Sequence, residues 1–174
     1  QTPPTGATRA CSAPELALTP GAARPRRAVA LATMNDSLQT AHSRSMSEAG
    51  AVFQSYLDGR TILLSPELSV ETQKAIGSDI MMALDQCVGS TAPAETVRAA
   101  VEITHRWAVR SLAARGDSPQ AMFAIVQGAL CKELRRESAA VLCEMPFDGF
   151  AIGGLAVGES KGEREDLCEF TAHL

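Results

Sequence analysis

The sequence predicts an α/β fold in which buried parallel strands alternate with helices. Three short apolar runs lead to this prediction, and they cover residues 78–85, 121–128 and 147–154. Runs of about 4–8 mostly apolar residues without polar alternation suit strands that are buried on both faces, as in a parallel sheet. Segments with helical periodicity separate the runs, so the predicted order is strand, helix, strand, helix, strand.

The segment before the first run is predicted to form a hairpin followed by a helix. Residues 51–64 alternate enough to indicate two extended segments around a turn at Asp58-Gly59. Ser65 is the predicted N-cap of the helix, Pro66 lies in its first turn, and Gly77 ends it. The first predicted parallel strand then begins.

Three further helices are predicted between and after the strands. The first covers residues 94–113, with one face made by Val97, Val101, Thr104, Trp107, Ala108 and Leu112. The second runs over about residues 129–144 and is ended by Pro146. The last begins at a capping box made by Ser160 and Glu163.

Residues able to hydrogen-bond a ligand stand at the end of each predicted parallel strand: Asp85, Gln127 and the pair Gly153-Gly154. Ligands of parallel sheets lie beyond the carboxyl ends of the strands, so the three ends form one predicted site. A carboxylate accepts two parallel hydrogen bonds, an amide donates and accepts, and a Gly-Gly turn exposes backbone N–H groups. This set fits guanine, whose ring N–H and amine face Asp85 while its carbonyl faces the Gln127 amide and the Gly154 N–H.

Three motifs carry a resemblance to a known family. They are Gly77-Ser78-Asp79-Ile80-Met81-Met82-Ala83-Leu84-Asp85-Gln86-Cys87, then Ile125-Val126-Gln127-Gly128, then Phe147-Asp148-Gly149-Phe150-Ala151-Ile152-Gly153-Gly154-Leu155-Ala156-Val157-Gly158-Glu159. In this order and spacing, the chain from about Ser43 to Leu174 resembles a central fragment of the bacterial-type tRNA-guanine transglycosylases, or queuine tRNA-ribosyltransferases.

The resemblance implies a fold, a reaction and a set of site residues. The fold is a partial (βα)8 TIM barrel, and the reaction exchanges guanine in a tRNA anticodon loop for a 7-deazaguanine precursor of queuosine. Asp85, Gln127, Gly153 and Gly154 match base-reading positions. Two further positions complete the implied binding set, in which Cys87 lines the pocket and the Leu155 carbonyl faces the substituent of the incoming base. The resemblance also implies a cytoplasmic enzyme that is a homodimer when full length.

Two departures from the family pattern concern catalysis. The family's general acid/base Asp lies in an Asp-Ser-Gly-Gly-Phe-Gln loop, of which Asp36-Ser37 is the partial match. The nucleophilic Asp and the zinc ligands of the family lie downstream of the last motif, so we expect this chain alone to bind no zinc and to be inactive. The alternative is a shortened, non-catalytic paralogue that binds a base or partners an active subunit.

Composition and local pattern set the remaining expectations. Residues 1–42 are predicted to be a disordered or aberrant N-terminal segment, and residues 43–174 to be the base-recognition half of the barrel domain. The net charge of −4 does not indicate a nucleic-acid binder, and no apolar run is long enough to span a membrane. The pair Arg135-Arg136 is interpreted as a solvated helix face, His105 as lying at a helix edge, and Met81-Met82 as core.

Overall fold

The computed structural model describes residues 45–174, which form six strands and four helices. The N-terminal part is an antiparallel sheet of β1 (Ser45–Ser47), β2 (Gly50–Gln54) and β3 (Thr61–Leu64), followed by helix α1 (Pro66–Ile76). The remainder alternates as β4 (Ile80–Met82), α2 (Ala94–Arg115), β5 (Ala121–Val126), α3 (Lys132–Cys143), β6 (Gly149–Ile152) and α4 (Lys161–Ala172). The predicted α/β alternation is confirmed.

The second sheet is parallel, with strand order β4-β5-β6. Met122, Ala124 and Val126 are buried on one face of β5, whereas Phe123 and Ile125 on the other face are only partly buried. On that second face Ile80 of β4 is 49% exposed. One side of the sheet is therefore covered by the packed core, and the other side is an apolar surface that the described residues only partly cover.

The predicted hairpin is present, and a strand that the sequence analysis missed pairs with it. Strands β2 and β3 are antiparallel and joined through the loop in which Ser55 N–H donates to the Arg60 carbonyl at 2.8 Å. The additional strand is β1, which pairs with β2 in the register Met46 to Ala51. Only three residues form β1, so its sequence carries too little alternation to predict it.

Helix α1 begins and ends where its capping residues predict. The Ser65 hydroxyl accepts from Leu68 N–H at 3.2 Å, and Gly77 adopts the left-handed conformation at φ 76°. The buried Gln73 amide donates to the Met82 carbonyl at 2.9 Å and accepts from the Met82 N–H at 2.7 Å. These two bonds join α1 to β4.

Helix α2 contacts both helix α1 and the turn between β1 and β2. The Arg110 guanidinium makes two bonds of 2.7 Å to the Glu67 carboxylate, and hydrogen bonding to Arg110 lowers the pKa of Glu67 to about 2. Trp107, which is fully buried, donates its indole N–H to the Glu48 carbonyl at 3.1 Å. Residues of α2 thus hold α1 and the β1–β2 turn together.

The last two helices differ in how well their starts were predicted. Helix α4 begins at the predicted capping box of Ser160 and Glu163. Helix α3 begins at Lys132 rather than at residue 129, because Gly128 (φ 148°) and Ala129 (φ 47°) both have backbone conformations that cannot continue a helix. Within residues 45–174 no helix is long and apolar enough to cross a membrane.

Candidate base-binding site

The predicted site residues follow directly after the parallel strands. Gln127 is the first residue after β5, Gly153-Gly154 follow β6, and Asp85 lies three residues beyond the end of β4. Because β4, β5 and β6 are parallel, these positions lie at the same edge of the sheet. The topology therefore brings the three predicted strand ends together.

Asp85 and Gln127 are in direct contact. The Gln127 side-chain nitrogen donates a hydrogen bond to the Asp85 carboxylate. Gln127 is 2% exposed, and its backbone N–H donates to the Ser138 hydroxyl at 3.3 Å. That hydroxyl also bonds the ring nitrogen of the partly buried His105 at 3.1 Å, which links α2 to α3. Gln127 is thus fixed through both its side chain and its backbone.

The Asp85 carboxyl is in an environment that disfavours its charge. Desolvation raises the pKa of Asp85 from 3.8 to about 6, although the hydrogen bond from Gln127 acts in the opposite direction. The Asp85 side chain is only partly buried, so a ligand can reach the carboxylate, which only accepts hydrogen bonds when it is ionised. It suits a ligand that brings hydrogen-bond donors of its own.

The Gly153-Gly154 turn packs against the Gln127 amide. Gly154 has φ 63°, and a Cβ built on it would lie 2.6 Å from the Gln127 side-chain oxygen. A Cβ on Gly153 would lie 2.4 Å from the Ile125 side chain. Only glycine fits at either position, since real Cβ contacts are longer. The turn therefore brings backbone groups, rather than side chains, next to the amide.

The two glycine N–H groups of this turn are used differently. Gly153 N–H donates to the Val126 carbonyl at 2.9 Å and continues the pairing of β6 with β5. Gly154 N–H donates to no acceptor within the described part of the chain. It is consequently available to a ligand at the strand ends.

Arg135 contradicts the prediction that the Arg135-Arg136 pair is a solvated helix face. Arg135 is 0% exposed, and its guanidinium donates to three carbonyl oxygens: Ala129 at 2.8 Å, Gly153 at 3.0 Å and Gly154 at 3.2 Å. Arg136 is exposed, with its guanidinium 5.2 Å from the centre of the Phe170 ring. The sequence signal that could have identified Arg135 is its place between the buried residues Leu134 and Ser138 on α3.

Cys87 and Leu155 lie in the loops that leave β4 and β6. Cys87 is buried, and its thiol sulfur lies 3.8 Å from the Val88 carbonyl oxygen. Leu155 is partly buried and precedes a turn in which the Glu159 carboxylate accepts from the Ala156 N–H and, at 2.9 Å, from the Val157 N–H. The roles given to Cys87 and Leu155 by the resemblance stay predictions. Met81 belongs to the core, as expected, whereas Met82 is only partly buried.

Neither Asp36 nor a cluster of metal ligands lies among the residues that the structure describes. Asp36 lies outside the described residues, as does the whole predicted N-terminal segment 1–42. Residues 45–174 contain no group of three or more His, Cys, Asp or Glu side chains that could hold a metal ion. The donor set for zinc is therefore not found among residues 45–174.

Comparison with known proteins agrees with the motifs. The sequence model of the family described as "TGT: Queuine tRNA-ribosyltransferase" matches residues 28–174. The chain is 45% identical over 130 residues to the queuine tRNA-ribosyltransferase of Francisella tularensis subsp. novicida (strain U112), which covers 75% of this chain and 35% of that protein. It is 44% identical over 130 residues to the protein of the same name from Francisella tularensis subsp. tularensis (strain WY96-3418), with the same coverage.

The chain thus spans about a third of the length of the curated relatives that it matches. The match to the family model extends over most of the chain. It includes the three motifs and every strand and helix that the structure describes. The chain belongs to the queuine tRNA-ribosyltransferase family.

Proposed function

We propose that this chain forms the base-recognition part of a tRNA-guanine transglycosylase, which exchanges guanine in a tRNA anticodon loop for a 7-deazaguanine precursor of queuosine. The observation that carries the proposal is the contact between the Asp85 carboxylate and the Gln127 amide beside the Gly154 N–H. These groups follow three adjacent parallel strands, at the edge where α/β proteins bind ligands.

The three groups are complementary to guanine. The Asp85 carboxylate accepts from the ring N–H and the exocyclic amine, which are neighbouring donors. The Gln127 side-chain nitrogen has two hydrogens; one stays on Asp85 and the other donates to the guanine carbonyl. The Gly154 N–H is the second donor to that carbonyl. Adenine presents a donor at the carbonyl position and no ring N–H, so it meets two mismatched contacts.

The same contacts help guanine to leave ribose. When the bond between the base nitrogen and the anomeric carbon breaks, the electron pair stays on the base and spreads toward its carbonyl oxygen. Donors at that oxygen, from Gln127 and Gly154, stabilise the developing charge. In this proposal a 7-deazaguanine base keeps the same edge and is read by the same groups, with Cys87 lining the pocket and the Leu155 carbonyl facing its substituent.

The proposed architecture is a portion of a (βα)8 barrel over residues 43–174. Parallel strands alternate with helices, and one face of the sheet is a partly exposed apolar surface made by residues such as Ile80, Phe123 and Ile125. In a barrel this face is the interior and is covered by the remaining strands. Asp36 is the proposed general acid/base, and the tRNA anticodon loop is the proposed macromolecular substrate.

The first test is base binding by the 174-residue chain, measured by isothermal titration calorimetry with guanine and adenine. We expect saturable binding of guanine and at least tenfold weaker binding of adenine, since each mismatched contact leaves a buried polar group unpaired. Equal binding of both bases, or no binding of guanine by the folded chain, would contradict the proposal.

The second test is guanine exchange in a chimera. In it, this chain supplies the segment that it shares with the Francisella tularensis subsp. novicida relative, and the relative supplies the rest. Incorporation of labelled guanine into tRNA is expected. A chimera that binds guanine but exchanges none would instead favour a non-catalytic paralogue.

A further inference from the structure

We propose that Arg135 is a positioning residue that aims the Gly154 N–H at the carbonyl of the bound base. This inference rests on the proposed function and extends it to a residue that does not touch the base. Its basis is the placement of a fully buried guanidinium on the two loops that carry Gln127 and Gly154.

The partners of Arg135 are unusual for a buried cation. None of the ion pairs in residues 45–174 includes Arg135, and its guanidinium bonds to backbone carbonyls instead. Burial of a charge without a carboxylate partner is costly, and desolvation lowers the pKa of Arg135 accordingly. A buried apolar side chain would fill the space at lower cost, so the carbonyl bonds themselves are the reason for an arginine here.

The three carbonyls come from both sides of the site. Ala129 lies two residues after Gln127, in the loop that leaves β5, and Gly153-Gly154 leave β6. The guanidinium fork is rigid and planar, so bonds of 2.8, 3.0 and 3.2 Å to the three oxygens fix the two loops relative to each other. The distance between the Gln127 amide and the Gly154 turn is thereby set.

One of these bonds also sets the direction of the ligand-facing N–H. The Gly153 carbonyl and the Gly154 N–H belong to the same planar peptide unit, in which the C=O and N–H groups point in opposite directions. The bond from Arg135 to the Gly153 oxygen therefore turns the Gly154 N–H away from α3. Two adjacent glycines allow this peptide to rotate easily, so the turn needs such a partner.

The test variant is Arg135→Lys in the 174-residue chain. Lysine keeps the charge, but a single ammonium cannot reproduce the fork that reaches three carbonyls. The measurement is the ratio of affinities for guanine and 6-thioguanine. The two bases offer the same donors to Asp85 and differ in that sulfur is a much weaker acceptor than oxygen. The ratio thus reports donors aimed at the carbonyl position.

In the unmodified chain we expect guanine to bind about fivefold or more tightly than 6-thioguanine. In Arg135→Lys the ratio should fall, because only the Gln127 donor then stays aimed at the carbonyl position. Guanine affinity should decrease while 6-thioguanine affinity is nearly kept. A matched control accompanies this result. Arg136→Lys, on the exposed neighbour, should leave both affinities and their ratio unchanged.

A purely structural role for Arg135 predicts a different outcome, in which both affinities fall together at an unchanged ratio. That outcome would overturn the inference and leave the proposed function intact. If the unmodified chain binds no guanine, the proposed function itself fails.

A second measurement needs no variant. In the unmodified chain, NMR hydrogen exchange of the Gly154 amide should slow at least tenfold when guanine is bound and much less with 6-thioguanine. An exchange rate that guanine does not change would also overturn the inference, whether or not Arg135→Lys folds.

Discussion

The Gln127 side chain donates to the Asp85 carboxylate across the ends of two neighbouring strands. This contact orients the amide so that its nitrogen lies on Asp85 and its oxygen lies toward the Gly154 turn. A base bound there as we propose would meet an acceptor and a donor in a fixed order. The order matches the donor and acceptor sequence along the guanine edge, and most of the following predictions depend on it.

Replacement of the carboxylate should remove base recognition and leave folding intact. Asp85→Asn turns one acceptor into a donor that faces a guanine donor, at a cost of roughly 2–4 kcal/mol. Guanine affinity of the chain and guanine exchange by the chimera should both fall at least tenfold. The matched control is Asp79→Asn, at an exposed carboxylate just before β4, which should change neither. Unaltered guanine exchange in Asp85→Asn would contradict the assignment of Asp85 as the carboxylate that binds the guanine donors.

Base binding should depend on the protonation of Asp85. Its pKa is raised to about 6, and the protonated form presents a hydroxyl donor where guanine needs an acceptor. Guanine affinity should therefore be constant above about pH 7 and should fall by about tenfold per pH unit well below 6. Calorimetry at pH 5 to 8 measures this dependence. Asp85→Asn should bind weakly with no change over the same range, and a flat profile for the unmodified chain would contradict the assignment.

The contribution of Asp85 to stability should fall as the pH rises, whereas guanine affinity should increase. Because the pKa of Asp85 is higher in the folded chain than its ordinary 3.8, this carboxyl favours folding below 3.8 and loses that contribution as the pH rises to about 6. The contribution is at most roughly 3 kcal/mol. Urea unfolding of the chain and of Asp85→Asn across this range isolates it, since the other carboxyls are common to both. A difference between the two that does not vary with pH would count against the raised pKa.

The turn after β6 should tolerate no side chain. Gly154→Ala adds a Cβ that would lie 2.6 Å from the Gln127 side-chain oxygen, at a φ of 63°. We expect guanine affinity to fall more than tenfold, because the amide must move off Asp85. Gly77→Ala is the matched control. Gly77 has a similar φ of 76° with open space around it, so this change should lower stability by about 1 kcal/mol without affecting base binding.

The link between α1 and β4 should be important for stability. Gln73→Ala leaves the Met82 N–H and carbonyl without the partners that they have at 2.7 and 2.9 Å. The free energy of unfolding should fall by about 2–4 kcal/mol, as urea denaturation would measure. Thr72 is the preceding residue of the same helix and is exposed. Thr72→Ala removes one hydroxyl and should lower the free energy of unfolding by less than about 1 kcal/mol. Equal losses for the two variants would argue against the link.

Local signals explain which elements the sequence predicts well. Ser65, Gly77 and the Ser160–Glu163 capping box act within one helical turn, so the residue types alone indicate where those helices begin or end. The start of α3 is wrong by three residues because Ala129, a good helix former, is held at φ 47°. Part of what holds it is the Arg135 bond to its carbonyl, which no local propensity describes.

The residues of the candidate site also divide into those whose place the sequence pattern predicts and one whose place depends on tertiary contacts. Asp85, Gln127 and the two glycines follow apolar runs, and parallel topology is enough to bring them to one edge. Adjacent arginines on a helix usually form a solvated face, so the sequence predicts a solvated Arg135. Two of its three acceptors lie 18 and 19 residues downstream, after another strand has returned to the sheet, so its burial depends on tertiary structure. Asp36 lies outside the described residues, and its role stays a prediction.

The three carbonyl bonds of Arg135 make the geometry of the turn after β6 depend on α3. Its acceptors come from both sides of α3, so all three bonds exist only when β6 is paired with β5 and α3 is docked. Local opening of α3 would therefore remove these bonds from the Gly153-Gly154 turn while the pairing of β5 with β6 stayed intact. The proposed site would then lose its geometry at a lower cost than the sheet loses a strand.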